Sequence, residues 1–222
     1  MRTPTIAATV LVLASLVACG SSSGSSASAG TTAAGTTGAS TCAKADGSSP
    51  KTTKFAAAPP VCLESGAKYT AVIETNFGTL HVKLLSDISP VTVNNFVNLA
   101  RFHYFDSTTC HRAIKTFVVQ CGDPTATGMG GPGYTFPDEL SKVTGYSIGS
   151  VAMANSGPDT NGSQFFIITG DAGAQLPVKY NLFGQVDQND FSVVQALDDV
   201  ANPQDGPPLK PIDITKVTIT AG

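Results

Sequence analysis

The 222-residue sequence contains no tryptophan, only three histidines and few charged side chains, which make up 13% of the chain. Its formal net charge is −3, and no run of lysine or arginine occurs. Because binding to nucleic-acid phosphates needs a clustered basic surface, we expect no nucleic-acid partner. The histidines lack metal-ligand spacing, and we expect neither a metal site nor a cofactor. In contrast, 22 glycines and 14 prolines favour a loop-rich fold over a helical bundle.

The first 18 residues have the pattern of a bacterial lipoprotein signal peptide. Arg2 supplies a positive charge, and the apolar run 6–18 is too short to span a bilayer comfortably. The run ends in Leu-Val-Ala-Cys, which resembles a lipobox, so we expect acylation of Cys19. This predicts a protein outside the cytoplasm, anchored to the cell membrane by lipid. The alternative is an ordinary signal peptide that is cut nearby, with Cys19 incidental.

Composition divides the rest of the chain into three parts. Residues 19–41 are almost entirely Ser, Gly, Ala and Thr and should form a flexible tether, because they cannot bury a core. Residues 42–66 contain proline and are bracketed by two cysteines, which predicts an irregular arm. Residues 67–222 are numerous enough to bury one substantial core.

The cysteines predict two disulfides. Setting aside Cys19 leaves four cysteines, an even number that is typical of exported proteins with disulfides. Three pairings are possible, and we favour Cys42–Cys62 with Cys110–Cys121 because each pair is local. A zinc site is the rival interpretation, which the absence of a Cys-x-x-Cys pair disfavours.

Hydrophobic alternation predicts a mainly β domain. Segments 69–75 and 79–85 alternate and should form a hairpin, and helical spacing follows Ser89 and Pro90, with Ser89 as the expected cap. A second helix is predicted over 191–200. Further strands are expected at 111–114, 117–121, 150–153, 164–169, 181–186 and 212–220. Antiparallel strands with two helices predict a closed barrel capped at its ends.

Four segments, in this order, resemble the cyclophilin family of peptidyl-prolyl isomerases. They are His-Arg-Ala-Ile at 111–114 with Phe-Val-Val-Gln-Cys-Gly-Asp at 117–123, the glycine-rich run 128–139, the long segment 149–167, and Leu-Phe-Gly-Gln-Val at 182–186. The resemblance covers essentially all of residues 67–222. It implies an eight-stranded, closed antiparallel barrel and an enzyme that isomerises X–Pro bonds.

The resemblance also implies the site. Rotation about an X–Pro bond breaks no bond, and the barrier of roughly 20 kcal/mol falls when a hydrogen-bond donor localises the prolyl nitrogen's lone pair. Arg112 is the expected donor because a guanidinium is always charged and rigidly forked. Gln120 should hold it, and Phe117 should contact the proline. The implied substrate-binding residues are His111, Ala154, Asn155, Gln164, Phe166, Leu176 and Tyr180.

The sequence departs from the family pattern at two pocket positions. Gln175 precedes Leu176 where many members have the tryptophan tied to tight cyclosporin binding, so we expect weak cyclosporin binding. Tyr180 stands where many members have a histidine, and a tyrosine can still pack and hydrogen-bond there.

Three functions are compatible with these patterns. The favoured one is a cofactor-free, monomeric isomerase acting on proline-containing segments of exported proteins and assisting their folding outside the cytoplasm. The alternative is a non-catalytic surface lipoprotein that binds proline-containing peptides or a partner protein. A structural or adhesion lipoprotein is the third, which the preserved pocket residues disfavour.

Overall fold

The structure is a computed structural model that describes residues 41–222. The predicted signal peptide, Cys19 and nearly all of the predicted tether therefore lie outside the described residues. In the described range, no helix is both long and apolar enough to cross a membrane.

Within residues 41–222, nine strands form one sheet in which every neighbouring pair is antiparallel. The order across the sheet is β3-β9-β1-β2-β8-β6-β7-β5-β4. The strands are β1 Tyr69–Thr75, β2 Gly78–Leu84, β3 Thr108–Thr109, β4 Arg112–Ile114, β5 Val118–Cys121, β6 Ser150–Met153, β7 Phe165–Ile168, β8 Leu182–Val186 and β9 Asp213–Ala221.

Three α-helices occur in the same range: α1 Pro90–Arg101, α2 Asp171–Ala174 and α3 Phe191–Asp199, the last preceded by a 3-10 turn, Gln188–Asp190. The two longer helices confirm the predicted ones, whereas α2 was not predicted. Ser89 stands at the N-terminus of α1, but its hydroxyl donates to the carbonyl of Leu182 instead of capping. The carboxylate of Glu139 accepts from the first free N–H groups of α1, at 3.0 and 2.8 Å.

The prediction of a closed eight-stranded barrel is wrong, because the nine-stranded sheet of residues 41–222 is a curled, open half-barrel. Strands β3 and β4 are its two edges, although only two residues separate them along the chain. The free edge of β4 bonds to a loop instead of to β3. Ala113 donates to Gly206 and accepts from Asn202, both at 3.0 Å. Because this loop satisfies the backbone of β4, closure of the ladder is not required.

The concave side of the curl encloses the core. Alternate residues of the β1–β2 hairpin are buried, as the predicted period of two requires. Phe96 of α1 packs its ring against Phe105, Phe165 and Phe183, with centroids 4.9, 5.5 and 5.0 Å away. This aromatic cluster fixes α1 against the sheet.

The arm 42–66 contains no helix or extended strand, and it is packed on the domain. Cys42 and Cys62 form the first predicted disulfide. The backbone N–H of Cys62 donates to Asn94 of α1 at 2.7 Å. Phe55 is buried, with its ring 5.3 Å from that of Phe102. The arm is therefore stapled and anchored by a buried side chain.

His103 makes a second contact between the arm and the domain. Its Nε2 lies 2.9 Å from the carbonyl oxygen of Gly47, and its Nδ1 lies 2.8 Å from the carboxylate of Asp106. Both partners are acceptors, so the doubly protonated ring satisfies both contacts. The Gly47 carbonyl and then Asp106 raise the pKa of His103 above its ordinary value.

Candidate active site

The register of neighbouring strands brings the predicted catalytic residues together. Arg112 of β4 is the cross-strand partner of Gln120 of β5, which in turn pairs with Phe166 of β7. Phe166 pairs with Ala152 of β6. Directly opposed residues share one face of an antiparallel sheet, so these side chains form a row across four strands.

Arg112 is held by two side chains. Its Nε and Nη2 donate to the two carboxylate oxygens of Asp205 at 2.6 and 2.9 Å, and its Nη1 donates to Gln120 at 3.2 Å. The hydrogen bond to Asp205 raises the pKa of Arg112, which stays charged. A guanidinium has five N–H donors, so one N–H on each terminal nitrogen is left for a substrate. No sequence pattern indicated Asp205, because it approaches from a distant loop.

A pocket of about 180 Å³ lies beside the guanidinium and has both apolar and polar walls. The ring of Phe166 meets that of Tyr180 edge-on, with centroids 5.2 Å apart. All predicted site residues except His111 and Gln164 line this pocket: Arg112, Phe117, Gln120, Ala154, Asn155, Phe166, Leu176 and Tyr180, together with Val118. A small pocket with an apolar wall of Phe117, Phe166 and Leu176 next to a fixed donor suits a proline ring and its nitrogen.

Tyr146, which sequence analysis did not single out, fixes the position of Tyr180. Its hydroxyl donates to the carbonyl of Tyr180 at 2.8 Å and accepts from the N–H of Tyr180 at 3.0 Å. Burial raises the pKa of Tyr146, which keeps the hydroxyl protonated for this double contact.

A larger cavity of about 660 Å³ lies next to this pocket, and the two cavities together form a groove. It shares Gln120, Ala154 and Asn155 with the smaller pocket and adds Gln164. Gln120 donates to the side chain of Gln164 at 2.9 Å, and Gln164 donates to two carbonyls of the glycine-rich loop, Gly128 and Gly130. The two glutamines therefore connect Arg112 to this loop. A peptide segment could lie along both cavities.

Buried Asp123 organises the glycine-rich loop. Its carboxylate accepts from the N–H groups of Thr125, Thr127 and Gly130 at 2.7 to 3.1 Å. Burial alone would raise the pKa of Asp123, but the hydrogen bonds from Thr125 and Gly130 outweigh it and hold the pKa well below its usual range. A side chain at Gly130 would lie 1.9 Å from the carboxylate, so only glycine fits there.

His111 lies outside the lining of both cavities. Its ring packs against Gly128, and neither buried ring nitrogen has a hydrogen-bond partner in the described structure. Burial lowers the pKa of His111, so the ring is neutral near pH 7. A contact between His111 and substrate stays a prediction that rests on the family resemblance.

The second predicted disulfide, Cys110–Cys121, is present and buried. Cys110 stands two residues before Arg112, and Cys121 directly follows Gln120. The bond thus staples the end of the β4–β5 hairpin that carries the donor. Since all four cysteines of residues 41–222 form disulfides, the zinc interpretation of these cysteines is wrong, and no other group of metal-ligating side chains occurs in that range.

Comparison with known proteins identifies the family. Residues 70–219 match the model of the cyclophilin type peptidyl-prolyl cis-trans isomerase family. The chain belongs to this family. It is accordingly a cyclophilin-type peptidyl-prolyl cis-trans isomerase, and the row Arg112–Gln120–Phe166 lies within the matched region.

Bacterial relatives support this assignment of the cyclophilin domain. A protein of Staphylococcus saprophyticus, provisionally named a peptidyl-prolyl cis-trans isomerase, is 39% identical over 182 residues, which cover 68% of this chain and 90% of the relative. A protein of Staphylococcus aureus with the same provisional name is 39% identical over 171 residues, covering 64% of this chain and 85% of the relative.

Solved structures agree with the fold of this cyclophilin. A cyclophilin type isomerase from Cryptosporidium parvum superposes with a TM-score of 0.64 at 33% identity, covering 70% of this chain and 99% of that protein. A second structure of that protein, determined in the presence of the dipeptide Ala-Pro, gives a TM-score of 0.63 at the same identity.

Proposed function

We propose that this cyclophilin accelerates cis/trans isomerisation of X–Pro bonds in exported proteins and that Arg112 is its catalytic donor. The proline ring would occupy the pocket walled by Phe117, Phe166 and Leu176. From there its nitrogen can receive a hydrogen bond from the guanidinium.

The observation that carries the proposal is the double support of Arg112 beside a small pocket that has an apolar wall. Asp205 and Gln120 use three of its five N–H donors and fix its plane. A preorganised donor of this kind costs no reorganisation when the amide twists. An acceleration of about 10⁵-fold requires only about 7 kcal/mol from the barrier, which such electrostatics can supply.

The substrate chain would be aligned by the residues that the two cavities share. Ala154 and Asn155 line both, and the N–H of Ala154 is already bonded to the carbonyl of Gln164. The backbone N–H and carbonyl of Asn155 form no hydrogen bond with any described residue, so both can bond to an extended peptide.

The test is NMR exchange of the peptide Ala-Ala-Pro-Phe, with blocked ends, on the full-length protein in detergent micelles. We expect strong acceleration by the wild type and a loss of about 10²–10³-fold in Arg112→Ala. Arg112→Lys keeps the charge but loses the fork, and it should recover little of the rate. If folded wild-type protein bound the peptide without accelerating exchange, the proposed isomerase activity would be refuted, and a peptide-binding function would take its place.

We further propose that the protein acts outside the cytoplasm, held to the membrane by lipid on Cys19. The lipobox pattern supports this, and so do two disulfides, which persist mainly in oxidising compartments. In bacteria that express the full-length chain, the wild-type protein should fractionate with membranes, whereas the Cys19→Ala variant should not. Membrane association that survives this substitution would refute the lipid anchor on Cys19. The proposed monomeric state is a separate prediction, which analytical ultracentrifugation would test.

Weak cyclosporin binding remains part of the proposal. Gln175 directly follows α2 and is exposed, and it directly precedes the pocket residue Leu176. If the missing tryptophan limits cyclosporin affinity, Gln175→Trp should lower the inhibitory concentration strongly without changing peptide turnover. Tight inhibition of the wild-type enzyme would contradict the proposal.

A further inference from the structure

The arm carries a charged side chain to the substrate groove. Lys54 lines the larger cavity, and its Nζ donates to the carbonyl of Gly131 at 2.9 Å. The family match begins only at residue 70, so this lysine is an addition to the matched domain. We propose that Lys54 is a specificity determinant that favours peptides with an acidic residue ahead of the proline, an inference that rests on the proposed function.

The folded arm sets the place of Lys54. The next residue, Phe55, is buried, and its backbone N–H donates to Pro132 at 2.8 Å. A Cβ atom at Gly133 would lie 2.6 Å from the carbonyl oxygen of Phe55, so the two backbones touch where no side chain could fit. Gly133 also has φ +106°, which disfavours other residues. The lysine is thus presented from a fixed backbone.

Lys54 is the charged residue in an otherwise neutral cavity. All other residues that line the cavity are uncharged, and within residues 41–222 no carboxylate forms an ion pair with Lys54. Asp123 is fully buried beneath the loop and bonded to it. Asp159 is not among the residues that line the cavity, and its carboxylate accepts from the N–H of Asp138. An approaching peptide carboxylate therefore meets an unpaired cation.

The position of this carboxylate follows from the contacts between the cavities. With proline in the smaller pocket, the preceding residue lies at Ala154 and Asn155, which line both cavities. Gln164 donates to Gly130, whose neighbour Gly131 accepts from Lys54. Each extended residue spans about 3.3 Å, so the second to fourth residues before proline can reach the lysine.

A structural role for Lys54 predicts a different result from charge recognition. If its hydrogen bond to Gly131 only steadied the loop, its loss would slow all peptides alike. Charge recognition affects acidic peptides selectively and weakens with salt, because the pair is exposed.

The test compares blocked pentapeptides and hexapeptides that carry Glu or Gln at the second, third or fourth position before proline. We expect the full-length wild-type protein to favour Glu about two- to fivefold in kcat/KM at one position at low ionic strength. The preference should vanish in Lys54→Gln, with the Gln peptide unaffected, and invert in Lys54→Glu. Lys51→Gln is the matched control, because Lys51 lies on the same arm but outside the cavity and donates to the backbone carbonyl of Asp106.

Three results would overturn the inference while leaving the enzyme intact. The first two are equal rates for Glu and Gln peptides with wild-type protein and equal slowing of both peptides in Lys54→Gln. A preference that survives Lys54→Gln would also overturn it. If folded wild-type protein accelerated neither peptide, the proposed function itself would fail, and the role of Lys54 would fail with it.

Discussion

Replacing Asp123 by asparagine should destabilise the protein by about 2–6 kcal/mol, because an amide cannot accept every hydrogen bond that the carboxylate accepts. Asp123 is fully buried. One oxygen accepts from the N–H and hydroxyl of Thr125, both at 2.7 Å. The other accepts from the N–H groups of Gly130 at 3.0 Å and Thr127 at 3.1 Å.

The magnitude follows from the donors left without an acceptor. An asparagine oxygen can replace the oxygen that faces Thr125, but its NH₂ group would then point at the N–H groups of Thr127 and Gly130. Each buried donor left unsatisfied costs about 1–3 kcal/mol, which gives about 2–6 kcal/mol for the pair. Because the carbonyls of the same loop accept from Gln164, turnover should fall as well.

The destabilisation caused by Asp123→Asn should depend on pH and should become smaller in acid. The folded-state pKa of Asp123 lies below its ordinary value, because hydrogen bonds outweigh the burial that opposes ionisation. Its stabilisation is therefore fully present above the unfolded pKa of about 3.9 and is lost as pH falls through the folded pKa. The stability difference between wild type and Asp123→Asn should be constant from pH 8 to about pH 5 and shrink in stronger acid.

Urea unfolding of the full-length variants measures this difference, with Asp87→Asn as the matched control. The carboxylate of Asp87 is exposed and forms an ion pair with the exposed Lys68, so its replacement should have little effect. If both variants unfolded at the same urea concentration, or if the Asp123 difference grew in acid, the hydrogen-bond account of the loop would be refuted.

Three other changes test separate contacts. Asp205→Asn should lower kcat about two- to tenfold and leave stability nearly unchanged. The ion pair between Asp205 and Arg112 lies at the surface, so it orients the guanidinium and contributes little to the fold. An unchanged kcat would exclude this orienting role of Asp205. His103→Gln should destabilise the protein more at pH 5.5 than at pH 8.5, as measured by thermal unfolding. The Gly47 carbonyl, and then Asp106, raise the pKa of His103, so its stabilisation is complete below about pH 6.5 and is lost at higher pH. A larger destabilisation at pH 8.5 would contradict this. Leu176→Ala should lower kcat/KM about three- to tenfold by removing apolar pocket surface, and equal turnover would place the proline elsewhere.

Much of the fold could be predicted because its local patterns are unambiguous. Alternation gave β1 and the approximate bounds of β2 and β9, the strand expected at 150–153 coincides with β6, and helical spacing gave α1 and α3. Strand β3 was missed because two residues carry no periodicity. Closure of the barrel was predicted wrongly because the edge of β4 bonds to the loop containing Asn202 and Gly206 and not to β3. No local sequence pattern encodes which of these two partners the edge takes.

The family resemblance gave Arg112 and Gln120 as site residues, and the strand register of the structure places them opposite each other. Arg112 and Gln120 lie on adjacent strands of one short hairpin, so their opposition follows from the turn between them. Asp205 contacts Arg112, Tyr146 contacts Tyr180 and Lys54 lines the larger cavity, all three from irregular segments whose course depends on the rest of the fold. Their identities carry no signal, since an aspartate, a tyrosine or a lysine in a loop is usually a solvated side chain.

The glycine-rich loop connects these separate contacts. Asp123 binds it from below, Gln164 binds it from the substrate groove, and the arm presses on it at Gly133. Because a side chain at Gly133 would collide with Phe55, this glycine is required by the arm as well as by its own backbone conformation. A change in the arm is therefore transmitted to the same loop that lines the peptide groove. The arm, although it lies outside the matched family region, therefore lines the larger cavity through Lys54 and supports the loop that forms another of its walls.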